Sequence, residues 1–496
     1  MQLIKVEKTY NKFKELSINS YHRRNFDSFI SLADNAANIA SIFNSIYYDE
    51  VFEDYFKKIA IENIKKPINF IKYNRKIVFY DEIGTVACLS VQYILALIEL
   101  EYEILYIFHS DTRILSPFIL KILEGYDKCK IVITDSLQTD KVDKIKFLYN
   151  EITTFGPEKA ILHTPAAGAL GAILWYSLEY ITRFRVVPGD HHFYFGVNCT
   201  DYFLEFRNFG YTTAIEKRNI DKNKIFIQPY YPLLHNTIDF QGFPVDISKG
   251  ITIFSAASPY KVYGENDKYF NIIKKILETY PEVTFLFAGG GFLYPFKKFI
   301  RNNNFENRIF LLGYRKDIDK CIQNCDIYMC SYPMTGGLTS QYAAFYAKPI
   351  LSYTDTQLPG NKIEDIIEGV TKHEKKITYD SEKDFFEFIN DLIKDENFRK
   401  GEGQYLKDKA FHSDNFAKIL ESNLNLKSQS VPRLISINYD KIVKVNLEKE
   451  NKYVPGFRIY MLLYLLKSKN IKNFSFLIPE LMTSRILFRS LFNKIF

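Results

Sequence analysis

Cysteine is scarce in this chain, and the way it is scattered excludes two classes of protein. The 496 residues hold six cysteines, Cys88, Cys129, Cys199, Cys321, Cys325 and Cys330, with no Cys-x-x-Cys pair among them. Cys321 and Cys325 stand four apart on a predicted helix, but no histidine or further cysteine follows at zinc spacing. A disulfide scaffold and a zinc module both fit poorly, and the cysteines read as reduced core residues of a cytoplasmic protein. Long apolar runs are missing as well. No stretch reaches the roughly 18 uninterrupted apolar residues of a spanning helix, and Met1-Gln2-Leu3-Ile4-Lys5-Val6-Glu7-Lys8 lacks the apolar core of a signal peptide. Internal repeats and low-complexity segments are also lacking. With 47% hydrophobic and 25% charged residues, the composition is that of a globular protein rather than a disordered one.

A basic patterned face is absent too. The net charge is +7, but residues 428–496 alone carry 12 Lys+Arg against 4 Asp+Glu, a net of +8, so the rest sums to −1. A basic excess confined to an apolar-rich tail argues against nucleic-acid binding. The tail contains the apolar run Tyr460–Leu466, a stretch from Leu434 to Leu447 whose alternation allows a strand, and a basic end from Pro479 to Phe496 with Arg485, Arg489 and Lys494. Two roles fit that end: a helix lying on an anionic membrane surface, or a helix packing back onto the first domain.

What is present is alternation. Residues 1–70 read as helical, with Phe26–Ala33 and Ala36–Ala40 at helical spacing and no visible chemistry. Strands follow at Lys76–Tyr80, Glu103–Phe108, Lys130–Ile133, Ala160–His163 and Phe184–Val187, with helices between, the first from Thr85 to Leu100. A second series begins at Gly250–Ala257 and continues through Val283–Ala288, Arg308–Leu312, Cys325–Cys330 and Lys348–Tyr353, with closing helices from Ser381 to about Leu426. Such βαβ spacing predicts two parallel sheets covered on both faces. A Pro-containing joint at Gln228–Pro232 separates them, giving two lobes with ligands expected at the strands' carboxyl ends.

Three stretches carry chemistry. In Thr335-Gly336-Gly337-Leu338-Thr339-Ser340, two glycines permit close backbone approach where the first amides of a helix are unpaired, a geometry that suits a phosphate; the bland alternative is a turn with Thr339 or Ser340 as N-cap. In Gly189-Asp190-His191-His192, an Asp beside two His offers a base titrating near neutral pH. Adjacent histidines on a strand would face opposite ways, which speaks against a metal. His163 ends a predicted strand and is a second candidate, with the Gly168–Gly171 loop beside it. Arg207 and Arg218 are either phosphate contacts or surface cations.

The series Phe287-Ala288-Gly289-Gly290-Gly291, Asn307-Arg308-Ile309 to Gly313-Tyr314, Cys325-Asp326-Ile327 and Thr335-Gly336-Gly337 to Lys348-Pro349-Ile350 resembles the donor-binding half of GT-B glycosyltransferases, from Ile251 to about Glu421. The resemblance implies an α/β chain of two doubly wound Rossmann-like domains facing a cleft: a helical segment 1–70, an acceptor domain 71–235, a nucleotide-sugar domain 236–427 and a basic tail 428–496. It implies a metal-independent transferase with no cofactor, taking a nucleotide-sugar, a UDP-sugar foremost, to a glycan, lipid-linked or protein acceptor, on the cytoplasmic side and peripheral to the membrane if the tail binds it. The Asp-x-Asp triplet Asp317-Ile318-Asp319 falls where Arg315–Ile318 opens a predicted helix rather than in a glycine loop. Ser255, Lys261, Gly290, Gly291, Gly313, Tyr314, Thr335, Gly336, Gly337, Leu338, Thr339, Ser340 and Tyr342 are the implied donor residues, with Lys261 at the diphosphate. Glu82, Gly84 and His163 are placed on the acceptor side, and His191 with Asp190 at the catalytic base. Retaining relatives carry two glutamates at the positions of Met334 and Tyr342; the Gly-Gly-Leu-Thr-Ser turn is instead similar to inverting O-linked N-acetylglucosamine transferases, which carry an acid where this chain has Tyr342. Two rivals remain: an epimerase using Asp81 and Glu82, and a non-catalytic accessory subunit.

Overall fold

The computed structural model describes residues 2–66, 69–85, 89–135, 137, 139–234, 238–370, 373, 375–428, 430–468 and 471–488. Cys88, Arg489 and Lys494, singled out above, lie outside the described residues. The chain divides into two compact units, one built from Gln2–Tyr230 with Ser413–Leu434, the other from Tyr231–His412 with Ile435–Phe496.

The first unit opens with three helices, α1 (Leu3–His22), α2 (Phe26–Phe43) and α3 (Glu50–Asn63). Helix α1 buries Val6, Tyr10 and Phe13, the spacing of one helical face. Small residues of α2, Ala33, Ala36, Ala37 and Ala40, are buried as well. Asn25 caps α2 by accepting from the Ser28 amide, and Asp49 caps α3 by accepting from Val51 and Phe52. The sheet follows: β1 (Tyr73–Asp81), α4 (Ser90–Glu99), β2 (Glu103–Phe108), α5 (Pro117–Glu124), β3 (Cys129–Ile133), α6 (Lys141–Phe155), β4 (Pro157–His163), α7 (Ala169–Tyr176), β5 (Thr182–Val186), β6 (Tyr202–Glu205), α8 (Asn208–Arg218) and β7 (Ile225–Ile227). The strand order is β3-β2-β1-β4-β5-β6-β7. All are parallel, and β1 pairs on both sides, Val78 opposite Leu105 of β2 and Ala160 of β4. The helix expected from Thr85 starts only at Ser90 within the described residues. Strands β6 and β7 are not among those that the sequence pattern predicts. The helix Ser413–Leu424 closes this unit: Asn423 Nδ2 donates to the Ile227 carbonyl (3.0 Å) and Gln228 Nε2 to that of Phe416 (3.1 Å).

The second unit carries β8 (Ile251–Ala256), α9 (Lys268–Thr279), β9 (Val283–Ala288), α10 (Tyr294–Asn302), β10 (Ile309–Gly313), α11 (Ile318–Gln323), β11 (Ile327–Met329), α12 (Gly337–Phe345), β12 (Ile350–Tyr353), α13 (Glu364–Ile367), β13 (Thr378–Tyr379), α14 (Glu382–Lys394) and α15 (Glu396–Lys409). Counting Ser413–Leu424 as α16, it ends with α17 (Tyr439–Lys452), α18 (Gly456–Ser468) and α19 (Ile478–Met482). Its parallel sheet runs β10-β9-β8-β11-β12-β13. Ile253, Phe285, Phe287, Ile309, Ile327 and Leu351 from the strands meet Tyr269, Ile273 and Ile276 of α9 in one core. The stretch Leu434–Leu447, whose alternation allows a strand, holds none and is helical from Tyr439: Asn438 caps α17 through the Lys441 amide, and Val445, Lys449 and Glu450 are buried at helical rather than alternating spacing. The apolar run Tyr460–Leu466 lies within α18.

Candidate functional site

Both sheets reverse their strand order once, between β1 and β4 and between β8 and β11. In doubly wound sheets that is where loops diverge and ligands bind.

In the first unit, the loops after β1, β4, β5 and β6 share one edge because the strands are parallel. The loop after β5 holds Asp190, His191 and His192. Asp190 is buried, and Arg207 Nε and Nη2 reach its carboxylate at 2.5 and 3.0 Å. Arg218 Nη2 donates to the carbonyls of Asp190 (2.9 Å) and His192 (2.6 Å). Both arginines are buried, so neither is a surface cation; they shape this loop. Burial alone would raise the Asp190 carboxyl, but the Arg207 guanidinium and then His191 hold it well below the usual carboxylate range. His191 Nδ1 lies 3.3 Å from Asp190 Oδ1, and its side chain stays 26% exposed. An ionised, fixed carboxylate behind a partly exposed imidazole orients the ring. Burial, then the neighbouring His191, pushes His192 well down, so it stays neutral. The two rings stand 3.9 Å apart at 41°; they do not take opposite faces, because the segment is a turn and not a strand.

The helical segment, silent in the sequence, pins these loops. Glu53 of α3 is buried and accepts from the amides of Gly196 (2.7 Å), Val197 (3.3 Å) and Asn198 (3.2 Å) and from the Tyr176 hydroxyl (2.7 Å). Phe52 and Phe56 meet Phe195 edge-on at 5.3 and 4.8 Å. Asp34 of α2 accepts from Gly168 and Ala169 at the start of α7, both at 3.0 Å. A glutamate between Phe52 and Phe56, on the apolar face, was the one available signal.

The acceptor-side candidates separate. Glu82 is half-buried; burial and then the Asp34 carboxylate push its carboxyl up to about 8, and the Tyr80 hydroxyl donates to it at 2.8 Å. Gly84 is buried at φ +55°, where a Cβ would stand 2.5 Å from the Phe108 ring. His163 has no exposed side-chain surface; its Nδ1 lies 3.1 Å from Asp81 Oδ1 and 3.2 Å from Ser90 Oγ. The Tyr106 hydroxyl also donates to Asp81, at 3.0 Å. Asp81 and His163 thus tie β1, β2, β4 and α4 together and present nothing to a ligand, and only Glu82 of the epimerase pair stays accessible.

In the second unit, the loops after β8 and β11 flank the reversal. Gly336 is the N-cap of α12, and no side chain caps the helix. The Thr339 and Ser340 hydroxyls donate back to the Gly336 carbonyl at 2.8 and 3.0 Å, so neither is the cap that the turn chemistry suggested. The amides of Gly337, Leu338 and Thr339 therefore meet no capping oxygen, leaving an anion-binding end. Thr335 is fixed just before it, its amide donating to Asn361 Oδ1 (2.9 Å). Lys261, half-buried, lies in the neighbouring turn Pro259–Val262, and its carbonyl accepts from Met334 N (3.2 Å). Gly289 packs where a Cβ would lie 2.0 Å from the Ala257 carbonyl oxygen. Gly290 and Gly291 are exposed beyond it, and Gly313 and the 77%-exposed Tyr314 follow β10. Ser255 is not with them: it is buried and bonded to the Tyr269 hydroxyl (2.7 Å). Tyr342 is buried, with its hydroxyl donating to the Leu233 carbonyl. Among the described residues no group of three or more His, Cys, Asp or Glu is placed to hold a metal ion, and no helix is long and apolar enough to cross a membrane.

Two doubly wound units of this topology define the GT-B fold. The chain is similar in structure to a mutant O-GlcNAc transferase of Thermobaculum terrenum (12% identity, TM-score 0.55, 88% of this chain and 85% of that one) and to HepE of Anabaena in complex with UDP and glucose (16% identity, TM-score 0.50, 70% and 99%). No family model and no curated protein matches the chain by sequence.

Proposed function

We propose that this chain is a metal-independent glycosyltransferase that moves a sugar from a UDP-sugar to a glycan, lipid-linked or protein acceptor. The observation that carries it is the uncapped end of α12 beside Lys261 at the reversal of the second sheet. That end and the ammonium would hold the donor diphosphate and stabilise the charge it gains on leaving. HepE bound to UDP and glucose, and an O-GlcNAc transferase, share the fold and support the choice of donor. In the first unit His191 is the base, with Nδ1 turned to Asp190. Its Nε2 takes the acceptor hydroxyl proton as the oxygen bonds to the anomeric carbon, and the bond from that carbon to the diphosphate oxygen breaks, the electron pair leaving with the nucleotide. This in-line displacement inverts the anomeric centre.

The exposed Leu463, Leu466, Met482 and Phe488 within the basic tail support contact with an anionic membrane surface, in keeping with a lipid-linked acceptor. Tyr342, buried where the resembling transferases carry an acid, favours a second reading, a binding subunit without turnover. Thermal melting with UDP, GDP, ADP and CMP decides between these. UDP is expected to raise the melting temperature of the wild type and to do so less for Lys261→Ala; UDP-sugar turnover then separates enzyme from subunit. No rise with any nucleotide would sink the transferase reading.

A further inference from the structure

Helix α17 brings a second lysine to the phosphate turn. Lys449 is 7% exposed. Its ammonium has no carboxylate partner among the described residues; its polar contact is the Met334 thioether at 3.1 Å. Met334 directly precedes Thr335 and is bonded through its amide to the Lys261 carbonyl. The helix is seated there: the Gly264 backbone packs against Val445 and Lys449, and Tyr453 stacks on Tyr263 at 5.3 Å. A buried ammonium beside another lysine, with no counter-charge, is an expensive arrangement for a purely structural residue.

We propose that Lys449 is a second phosphate-binding residue of the donor site, its ammonium completing with Lys261 and the end of α12 a clamp for the nucleotide's diphosphate. The proposal rests on the transferase reading above and names a residue outside the stretch that carries the GT-B resemblance.

A proton accompanies the ligand. Burial and then the Lys261 charge push Lys449 down to about 7, so near neutral pH the empty site holds it partly deprotonated. The other charged groups on the packed elements are engaged: Glu265 with Lys441 and the Tyr332 hydroxyl, Glu448 with Lys452, Glu450 with Arg458, and Asp267 with the Tyr453 hydroxyl. A diphosphate beside Lys449 favours its charged form, so binding draws in up to one proton above pH 7, and affinity falls as pH rises further.

The test is calorimetry of UDP and inorganic pyrophosphate at pH 7.5–8.5 in two buffers of different ionisation enthalpy. There the UDP terminal phosphate, with a second pKa of about 6, is already ionised. Wild type is expected to take up close to one proton with UDP. Lys449→Met should melt no lower than wild type, bind both ligands about tenfold or more weakly, as loss of a charge-assisted phosphate contact predicts, and show no uptake. Lys452→Met, which removes an exposed charge from the same helix, should bind as wild type does. If Lys449→Met fails to fold, Lys449→Arg decides: it should bind within a few-fold of wild type but without proton uptake. Equal affinity and uptake in wild type and either Lys449 variant overturns the role of Lys449 and leaves the donor site standing. No binding of either ligand by wild type overturns the donor site and this role together.

Discussion

At the carboxyl edge of its first sheet the chain buries charge; at the same edge of its second it offers backbone. The first edge holds Asp190, Glu205, Arg185, Arg207 and Arg218, all buried, with Arg185 and Arg218 lying over the Tyr194 ring at 4.2 and 4.4 Å. Helices from the start of the chain pin its loops through Glu53 and Asp34. The second edge is built from Gly289–Gly291, Gly313 and Gly336, with lysines beside them. The difference matches the roles proposed for each edge. A base must be fixed in tautomer and angle, which takes a network of oriented charges. A diphosphate is recognised by amides and point charges, which takes only close backbone approach.

The sharpest way to break the first edge is His191→Ala. Sugar transfer should fall about 10²–10⁴-fold, the usual contribution of a general base, while UDP raises the melting temperature as before. Arg207→Met strikes the same edge through its frame. It leaves the Asp190 carboxylate buried without its cation and should destabilise the protein by roughly 3–5 kcal/mol, read by urea melts. The corresponding change at the second edge, Lys261→Ala, should leave stability nearly unchanged and weaken UDP by about 1.5–3 kcal/mol, the value of a hydrogen bond to a charged group. Equal stability losses in the last two variants would erase the contrast between the edges.

The last effect is a pH slope. Burial pushes the Glu205 carboxyl up to about 8. The folded chain thus binds more protons than the unfolded one between about 4.5 and 8, and stability drops as pH rises through that window. Glu205→Gln removes the titration, so its stability should fall less than wild type's between pH 6 and 9, by roughly 2–3 kcal/mol. Parallel curves would show that Glu205 is paired rather than isolated.

The second edge was legible because its chemistry is contiguous: glycines and hydroxyls fall within a few residues of each strand end. Alternation of apolar runs likewise gave both parallel sheets, as well as α18. The first edge was legible only at Asp190 and His191. Glu53 reaches Gly196 across 143 positions, Arg207 reads equally as a phosphate contact or a surface cation, and Lys449 lies just past the stretch Leu434–Leu447 whose alternation allows a strand. Periodicity reports which face is buried, and is silent on which charged residue will be buried with it.

The discontinuity of both units has a kinetic side. The first sheet is complete in sequence by Ile227, yet the helix that bonds to Ile227 and Gln228 comes only at Ser413–Leu424. At about 5–20 residues per second, a ribosome finishes the first seven strands roughly 10–40 s before it supplies their last helix. During that interval the buried face of Tyr93, which Phe416 later covers edge-on at 5.2 Å, stays open. The second unit waits in the same way for α17. Both units therefore receive closing helices only after residue 412 has been made.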